Sequence, residues 1–482
     1  MQPTDPLPKH PPYELADPLA DQDRPATAVP SQGMLEHEAV TGRYARDPYA
    51  ALRVPAFRRF VSAFFLSAAG AQIQTVAVGW EIYDKTHDAN ALGVLGLVLA
   101  IPMLLLSLPA GHLADTVSRK KLFLFMQVTT SICAIGLLLT SLRHGDAATP
   151  LADAHGIWIM YALLAFGAIG GTIGRPGREA LMAQIVPAEL YPNAVTWNST
   201  GFELSSMGGP AIGGLILWKF GAAAAYGTAA FCFVTSFLLI LTLPYTQIKH
   251  QAKDGDDHAA GLGDLLAGIR FVFGNKLILA ALTLDLFAVL FGGAAFVLPV
   301  IAKDVLHVDR LGFGFLRAAP AIGAVSMALI QARMRPYQRA GPILLWAVAG
   351  FGLATIVLGL SRSYTLTFLM LLMTGVFDNI SVVIRHSLVP LATPDNMRGR
   401  VLAVNQIFVG SSNELGGLES GLTTKAFGVV ASVVGGGIAS VVVVGAVALG
   451  FPSVRKLKRL DDVRPAEDAP PLPKSRGFDP IV

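Results

Sequence analysis

The strongest constraint on this chain is a series of apolar runs, each of roughly 20 residues, separated by short polar loops. A helix rises about 1.5 Å per residue, so each run is long enough to cross about 30 Å of hydrocarbon. Lipid offers no hydrogen bonds to the backbone, so a spanning segment must be a helix or a strand of a closed barrel. A barrel would alternate apolar and polar residues over about ten positions, and these runs do not. The chain therefore reads as an all-α membrane protein with twelve transmembrane helices. In the first half they fall near 60–82, 92–110, 122–142, 157–174, 194–218 and 223–243. In the second half they fall near 277–301, 311–331, 343–360, 365–388, 401–425 and 429–451.

Composition excludes the other broad classes. Only 15% of residues are charged, against about a quarter in an ordinary soluble chain. The basic residues are parcelled out between apolar runs and form no single basic face, which argues against nucleic acid as a partner. Cys133 and Cys232 both lie inside apolar runs and read as structural thiols. The glycines at 435–437 lack the Lys-Ser/Thr ending of a phosphate loop. No His, Cys or carboxylate spacing describes a metal site. Neither enzyme chemistry nor a cofactor or metal is expected.

The runs also divide the chain. Residues 1–52 are rich in Pro, Asp, Ala and Gln, with no apolar core of the kind a signal peptide needs, and read as a disordered tail. A six-helix bundle over 53–243 follows, then a linker over 244–276, a second bundle over 277–453 and a tail over 454–482. Within the linker, Leu262, Leu265, Leu266, Ile269 and Phe273 share one helical face, the pattern of an amphipathic helix on a membrane surface. Basic residues concentrate in alternate loops: Arg53, Arg58 and Arg59; Arg119 to Lys121; Arg175 and Arg178; Arg333 to Arg339; Arg385, Arg398 and Arg400; Arg455 to Arg459. By the positive-inside rule those loops, and both termini, face the cytoplasm.

The two halves repeat at an offset of about 207 residues: Arg178 aligns with Arg385, Pro187 with Pro394, Asn198 with Asn405, Gly209 with Gly416 and Gly214 with Gly421. Six spans separate the copies, so they share one topology and are parallel repeats about an axis normal to the membrane.

The loop after span 2 reads Gly111-His112-Leu113-Ala114-Asp115-Thr116-Val117-Ser118-Arg119-Lys120-Lys121. It resembles the signature of the major facilitator superfamily, which implies a cytoplasmic gate built from Gly111, Asp115, Arg119 and Lys120. Gly111 is expected to let two helices approach closely, and Asp115 to pair with Arg119 or a helix N-terminus. Span 5 carries Ser205-Ser206-Met207-Gly208-Gly209-Pro210-Ala211-Ile212-Gly213-Gly214. This is similar to the antiporter signature of the same superfamily, with Ser205 where that pattern has glycine. Pro210 with Gly209, Gly213 and Gly214 would give a kink and a close-packed seam. Pro55-Ala56-Phe57-Arg58, Gly79-Trp80-Glu81-Ile82-Tyr83-Asp84 and Leu265-Leu266-Ala267-Gly268-Ile269-Arg270-Phe271 resemble the enterobactin-exporter-like branch, related to secretion effectors and macrolide efflux proteins.

The resemblance implies proton-driven efflux of a small molecule, a siderophore or an amphipathic drug-like compound, across a bacterial inner membrane. Its expected partners are that substrate, protons and the bilayer, and the expected state is a monomer. Solute import, lysophospholipid translocation and a non-transporting sensor stay open as alternatives.

Ionisable groups inside spans are costly and mark function by default. Asp285, Asp378, Glu203 and Glu414 are the proton-coupling candidates, with an ion pair to Arg317 or Arg385 as the rival role. Gln72, Gln74, Asn198, Asn405 and Gln406 are candidate cavity-lining groups. Two features depart from the best-known drug–proton antiporters: span 4 stays apolar until Arg175 at its end, and mid-span 1 carries Gln72 and Gln74 in place of an acid.

Overall fold

Helices account for almost all of the described residues in the computed structural model, which are 47–143, 150–244, 262–334, 337–460 and 463. Most of the expected N-terminal tail, the polar stretch between the halves and most of the C-terminal tail lie outside those residues. Met1–Ala50 and Ala51–Val482 form separate units by their contacts, and of the first only a turn near its end is described.

The helices of the larger unit are α1 (Pro55–Thr86), α2 (Ala89–Thr116), α3 (Arg119–Arg143), α4 (Pro150–Ile185), α5 (Tyr191–Leu241), α6 (Leu262–Gly274) and α7 (Lys276–Phe291). They continue as α8 (Arg310–Gln331), α9 (Ala340–Leu360), α10 (Tyr364–Leu391), α11 (Asp395–Phe427) and α12 (Val429–Gly450). Their starts follow from local chemistry. Asp88 accepts from the Asn90 amide at 2.9 Å, Asn275 from Leu277 at 3.0 Å, and Asp309 from Gly312 at 2.9 Å, each satisfying a donor the helix itself leaves free.

Among the described residues nine helices are long and apolar enough to cross a membrane, or ten if the bent pair α6–α7 counts as one. The outward faces carry large apolar side chains: Trp158, Phe231, Trp346 and Leu449 are all exposed. Polar side chains such as Gln127, Ser236 and Thr367 are instead fully buried. That inversion is what a lipid solvent requires.

Helix α5 has 51 residues, about 75 Å at the α-helical rise, more than twice the hydrocarbon thickness. It is broken at Gly221, where φ is 80° and ψ is 178°. Only glycine adopts that conformation without strain. Gly428, between α11 and α12, has nearly the same conformation, with φ 85°.

The expected span over 277–301 is interrupted. Helix α7 stops at Phe291, a short 3-10 turn follows at Gly293–Ala295, and helical structure resumes at Leu298. Gly292 and Gly293 supply no side chain to hold the helix, and Pro299 starts a new turn well.

The amphipathic segment is helix α6, bent by 102° from α7. Its Leu266 and Phe273 are exposed while Phe271 and Val272 are buried. A Cβ on Gly268 would lie 3.0 Å from the Arg400 carbonyl, so that glycine lets α6 dock on α11. Packing joins α1 to α5, α4 to α3 and α2 to α4; α9 to α12, α8 to α10 and α7 to α11. Two further contacts tie the first group to the second: α2 to α11 and α5 to α8.

Candidate functional site

Four glycines from the repeat mark where helices cross. A Cβ on Gly209 would fall 2.6 Å from Gln72 Cβ of α1, and one on Gly416 would fall 3.0 Å from the Val289 and Leu290 carbonyls of α7. One on Gly214 would sit 2.5 Å from Gly314 Cα of α8, and one on Gly421 2.4 Å from Gly93 Cα of α2. Backbones therefore meet with no side chain between them at α5–α8 and α11–α2. Gly213 packs on Ile73 in the same way, and Pro210 is buried within α5.

Both inter-group crossings lie toward the end of the molecule where α1 finishes and α2 begins. Charged groups gather at the same end. Lys303 pairs with Asp84, the Tyr83 hydroxyl donates to Asp304, Arg310 lies 4.0 Å from Asp84, and Lys425 lies 3.1 Å from Asp88. Beneath them the Trp80 and Phe313 rings pack with centroids 5.4 Å apart.

At the opposite end the structure corrects one expectation. A Cβ on Gly111 would meet nothing within 4 Å, so no helix packs on it among the described residues. Lys120 donates to the Leu241 and Leu243 carbonyls at 2.9 and 2.7 Å, and Arg59 to the Thr242 carbonyl at 2.8 Å. These cations cap the C-terminus of α5, where the helix leaves carbonyls unpaired and negative potential collects. Arg119 opens α3 and is half-buried. The Asp115 side chain lies outside the described residues.

The intramembrane acids divide. Asp285 on α7 and Arg385 on α10 form an ion pair of 2.5 Å with side chains only 6% and 5% exposed, and Arg385 Nε donates to Ser381 Oγ at 3.2 Å. Of the two possible partners of Asp285 it is Arg385 that binds; Arg317 donates to the Ala295 carbonyl. Asp378, two turns before Arg385 on α10, lies within electrostatic range of Arg385, Asp285 and Glu203 of α5. Two of the four candidate acids, Asp285 and Asp378, thus lie within electrostatic range of one guanidinium, that of Arg385. The side chains of Glu414 and Gln406 lie outside the described residues. Asn405 is buried and Asn198 half-buried.

A cavity of about 310 Å³ opens among α1 to α5. Gln72 and Gln74 are among its lining residues. Gln72 Nε2 lies 3.4 Å from Ser206 Oγ and Gln74 Nε2 3.7 Å from Cys133 Sγ, while Gln74 Oε1 is buried without a partner. Arg175 and Arg178 line the cavity too. Sequence reasoning placed both in a loop, yet they lie within α4, one turn apart. The guanidinium of Arg178 stands over the Phe64 ring at 4.7 Å. No metal cluster of His, Cys, Asp or Glu occurs among the described residues.

Long lipid-facing helices, glycine crossings between them and a charged cluster within the apolar layer define a secondary transporter of the major facilitator class, and not an enzyme. Solved transporters share the fold. A D-xylose–proton symporter superposes with a TM-score of 0.64 at 14% identity, covering 86% of this chain and all of its own. A bacterial homologue of the lysosomal transporter Spinster, inward-facing, gives 0.63 at 14%, covering 83% and 98%. The chain belongs to the transmembrane secretion effector family, whose profile matches residues 46–475. Within it the chain is enterobactin-exporter-like. It is 29% identical to the enterobactin exporter EntS of Shigella flexneri over 349 residues, 72% of this chain and 80% of that protein. EntS of Escherichia coli O1:K1 matches at the same identity and coverage.

Proposed function

We propose that the chain exports a small molecule, a siderophore or an amphipathic compound, across a bacterial inner membrane by alternating access and in exchange for protons. Twelve spans result if the Gly221 break separates two, α7 with its bent partner makes one and α11 makes one. Grouped as 53–243 and 277–453, they form two six-helix bundles with both termini cytoplasmic. The α1–α2 end is then the outer one, and its glycine crossings and ion pairs close it. The open space around Gly111 lies at the cytoplasmic end, so the conformation is inward-facing and ready to load. Gly111, Asp115 and Arg119 come together only when that end closes.

The observation that carries the coupling is the buried pair of Arg385 with Asp285, with Asp378 within electrostatic range of both. One cation cannot neutralise two carboxylates in an apolar layer, so the cluster holds a proton in at least some states. Protonating Asp285 frees Arg385 to turn to Asp378, and the pair re-forms when the proton leaves. A proton taken from outside and released inside drives substrate outward. The names of the relatives support export and a siderophore-like cargo.

The test uses inside-out vesicles with an acid lumen, to which siderophores and amphipathic drugs are added while external pH is followed. Substrate entry should release protons from the parent, and Asp285→Asn should abolish that release. Substrate flux with no proton movement in the parent would sink the antiport reading.

A further inference from the structure

The two copies of the repeat treat one arginine differently. Arg385 aligns with Arg178 at the common offset. In the second copy Arg385 meets the buried carboxylate of Asp285. The matching place in the first copy can be found from the packing. Gly209 abuts Gln72 of α1, and its counterpart Gly416 abuts Val289 and Leu290 of α7. Gly209 also approaches the Ala69 carbonyl at 3.5 Å, and with that carbonyl matched to those of Val289 and Leu290 the counterpart of Asp285 falls at Phe64 or Phe65. Neither is acidic; Phe64 lines the 310 Å³ cavity, as does Arg178, whose guanidinium stands over that ring.

The first copy thus keeps the cation, lacks the carboxylate and has in its place an aromatic ring at the wall of a cavity. Among the described residues no acid lines that cavity, and Arg175 adds a second positive charge. Among the described residues Arg178 has one neighbouring carboxylate, Glu179 at 3.3 Å, whose side chain is 65% exposed. An adjacent-residue pair at the water boundary is weak and easily exchanged. Beyond the charges the cavity offers Phe64, Phe202 and Phe233 as apolar walls. Its volume is at the lower end for a drug-sized ligand.

We propose that this cavity binds the anionic group of a small aromatic acid, with Arg178 as its ion-pair partner and Arg175 beside it. The ligand's carboxylate takes the role that Asp285 plays for Arg385. This names the substrate class of the exporter proposed above and rests on that reading. A lipid headgroup phosphate carries the same kind of charge, so the test separates the two sources.

Binding of tritiated 2-naphthoate to the purified full-length chain is measured in phosphatidylcholine nanodiscs. Saturable binding is expected, with unlabelled 2-naphthoate competing at least tenfold better than 2-naphthamide. Arg178→Gln should weaken it at least tenfold. Ala71→Phe, which fills the cavity and keeps both arginines, should do the same, so the inference stays testable if the first variant folds poorly. Arg143→Gln, at the far end of α3, should bind as the parent does. Equal competition by the amide overturns the inference, as do folded Arg178→Gln and Ala71→Phe proteins with parental binding. So does binding that phosphatidylglycerol nanodiscs block, which marks a lipid site. Absent naphthoate binding, with proton-coupled flux of other compounds intact, refutes the anion site alone; naphthoate binding without any flux refutes the exporter reading alone.

Discussion

Asp285→Asn removes one charge of the most deeply buried ion pair described, 2.5 Å apart with side chains 6% and 5% exposed. Breaking such a pair strands the remaining charge without water, at a cost of about 3–5 kcal/mol. Arg385→Gln should cost a similar amount for the mirror-image reason. Replacing both leaves two neutral side chains of nearly the original volume, which can hydrogen-bond to one another. The double variant should therefore lie within about 1 kcal/mol of the parent. The two single losses sum to about 6–10 kcal/mol, so the non-additivity exceeds any value expected for independent sites.

The protein carries its own reporter for this cycle. Both free cysteines, Cys133 and Cys232, are buried, so a fluorogenic maleimide reacts only as the fold opens. On heating, each single variant should react on the order of 5–10 °C below the parent, and the double variant close to it. A double variant whose loss equals the sum of the singles would refute the reasoning, because the two groups would then act independently. The same double variant separates folding from coupling. It should fold, and yet move substrate without releasing protons.

Two further substitutions probe the crossing and the cap. Gly214→Leu places side-chain atoms where Gly314 Cα would be 2.5 Å from the new Cβ; vesicle uptake should fall more than tenfold, whereas Gly208→Ala, where nothing lies within 4 Å, should keep flux within about twofold. Lys120→Gln loses two charge-assisted bonds to the end of α5 and should cost about 1–2 kcal/mol, seen in the maleimide melt as a smaller shift than that of Asp285→Asn.

What the sequence made legible is what the bilayer enforces. The apolar runs over 60–82, 92–110 and 343–360 fall within α1, α2 and α9 because hydropathy and length leave few alternatives in lipid. The repeat was legible for a related reason: a glycine that lets backbones touch tolerates no replacement, so its position keeps the register. The structure extends that register past the residues first aligned. Gly221 and Gly428, both with positive φ, also stand 207 apart (428 − 221), one breaking α5 and the other separating α11 from α12.

What stayed hidden are choices made between helices. Spacing along α7 and α10 assigns Asp285 and Arg385 to faces, but two arginines were in reach of that carboxylate until the packing chose one. The interruption after Phe291 was masked because Gly292 and Gly293 sit in an otherwise apolar run. Arg175 and Arg178 were misplaced because hydropathy counts a charge as a span boundary, while a long side chain reaches water from within the span. The repeat explains why such errors collect at the site. Symmetry fixes the seams shared by both copies, and the proposed sites lie where the copies differ, at Asp285 in one and at Phe64 in the other. A reading that seeks matches between halves locates the hinges, and the mismatches at matched positions locate the chemistry.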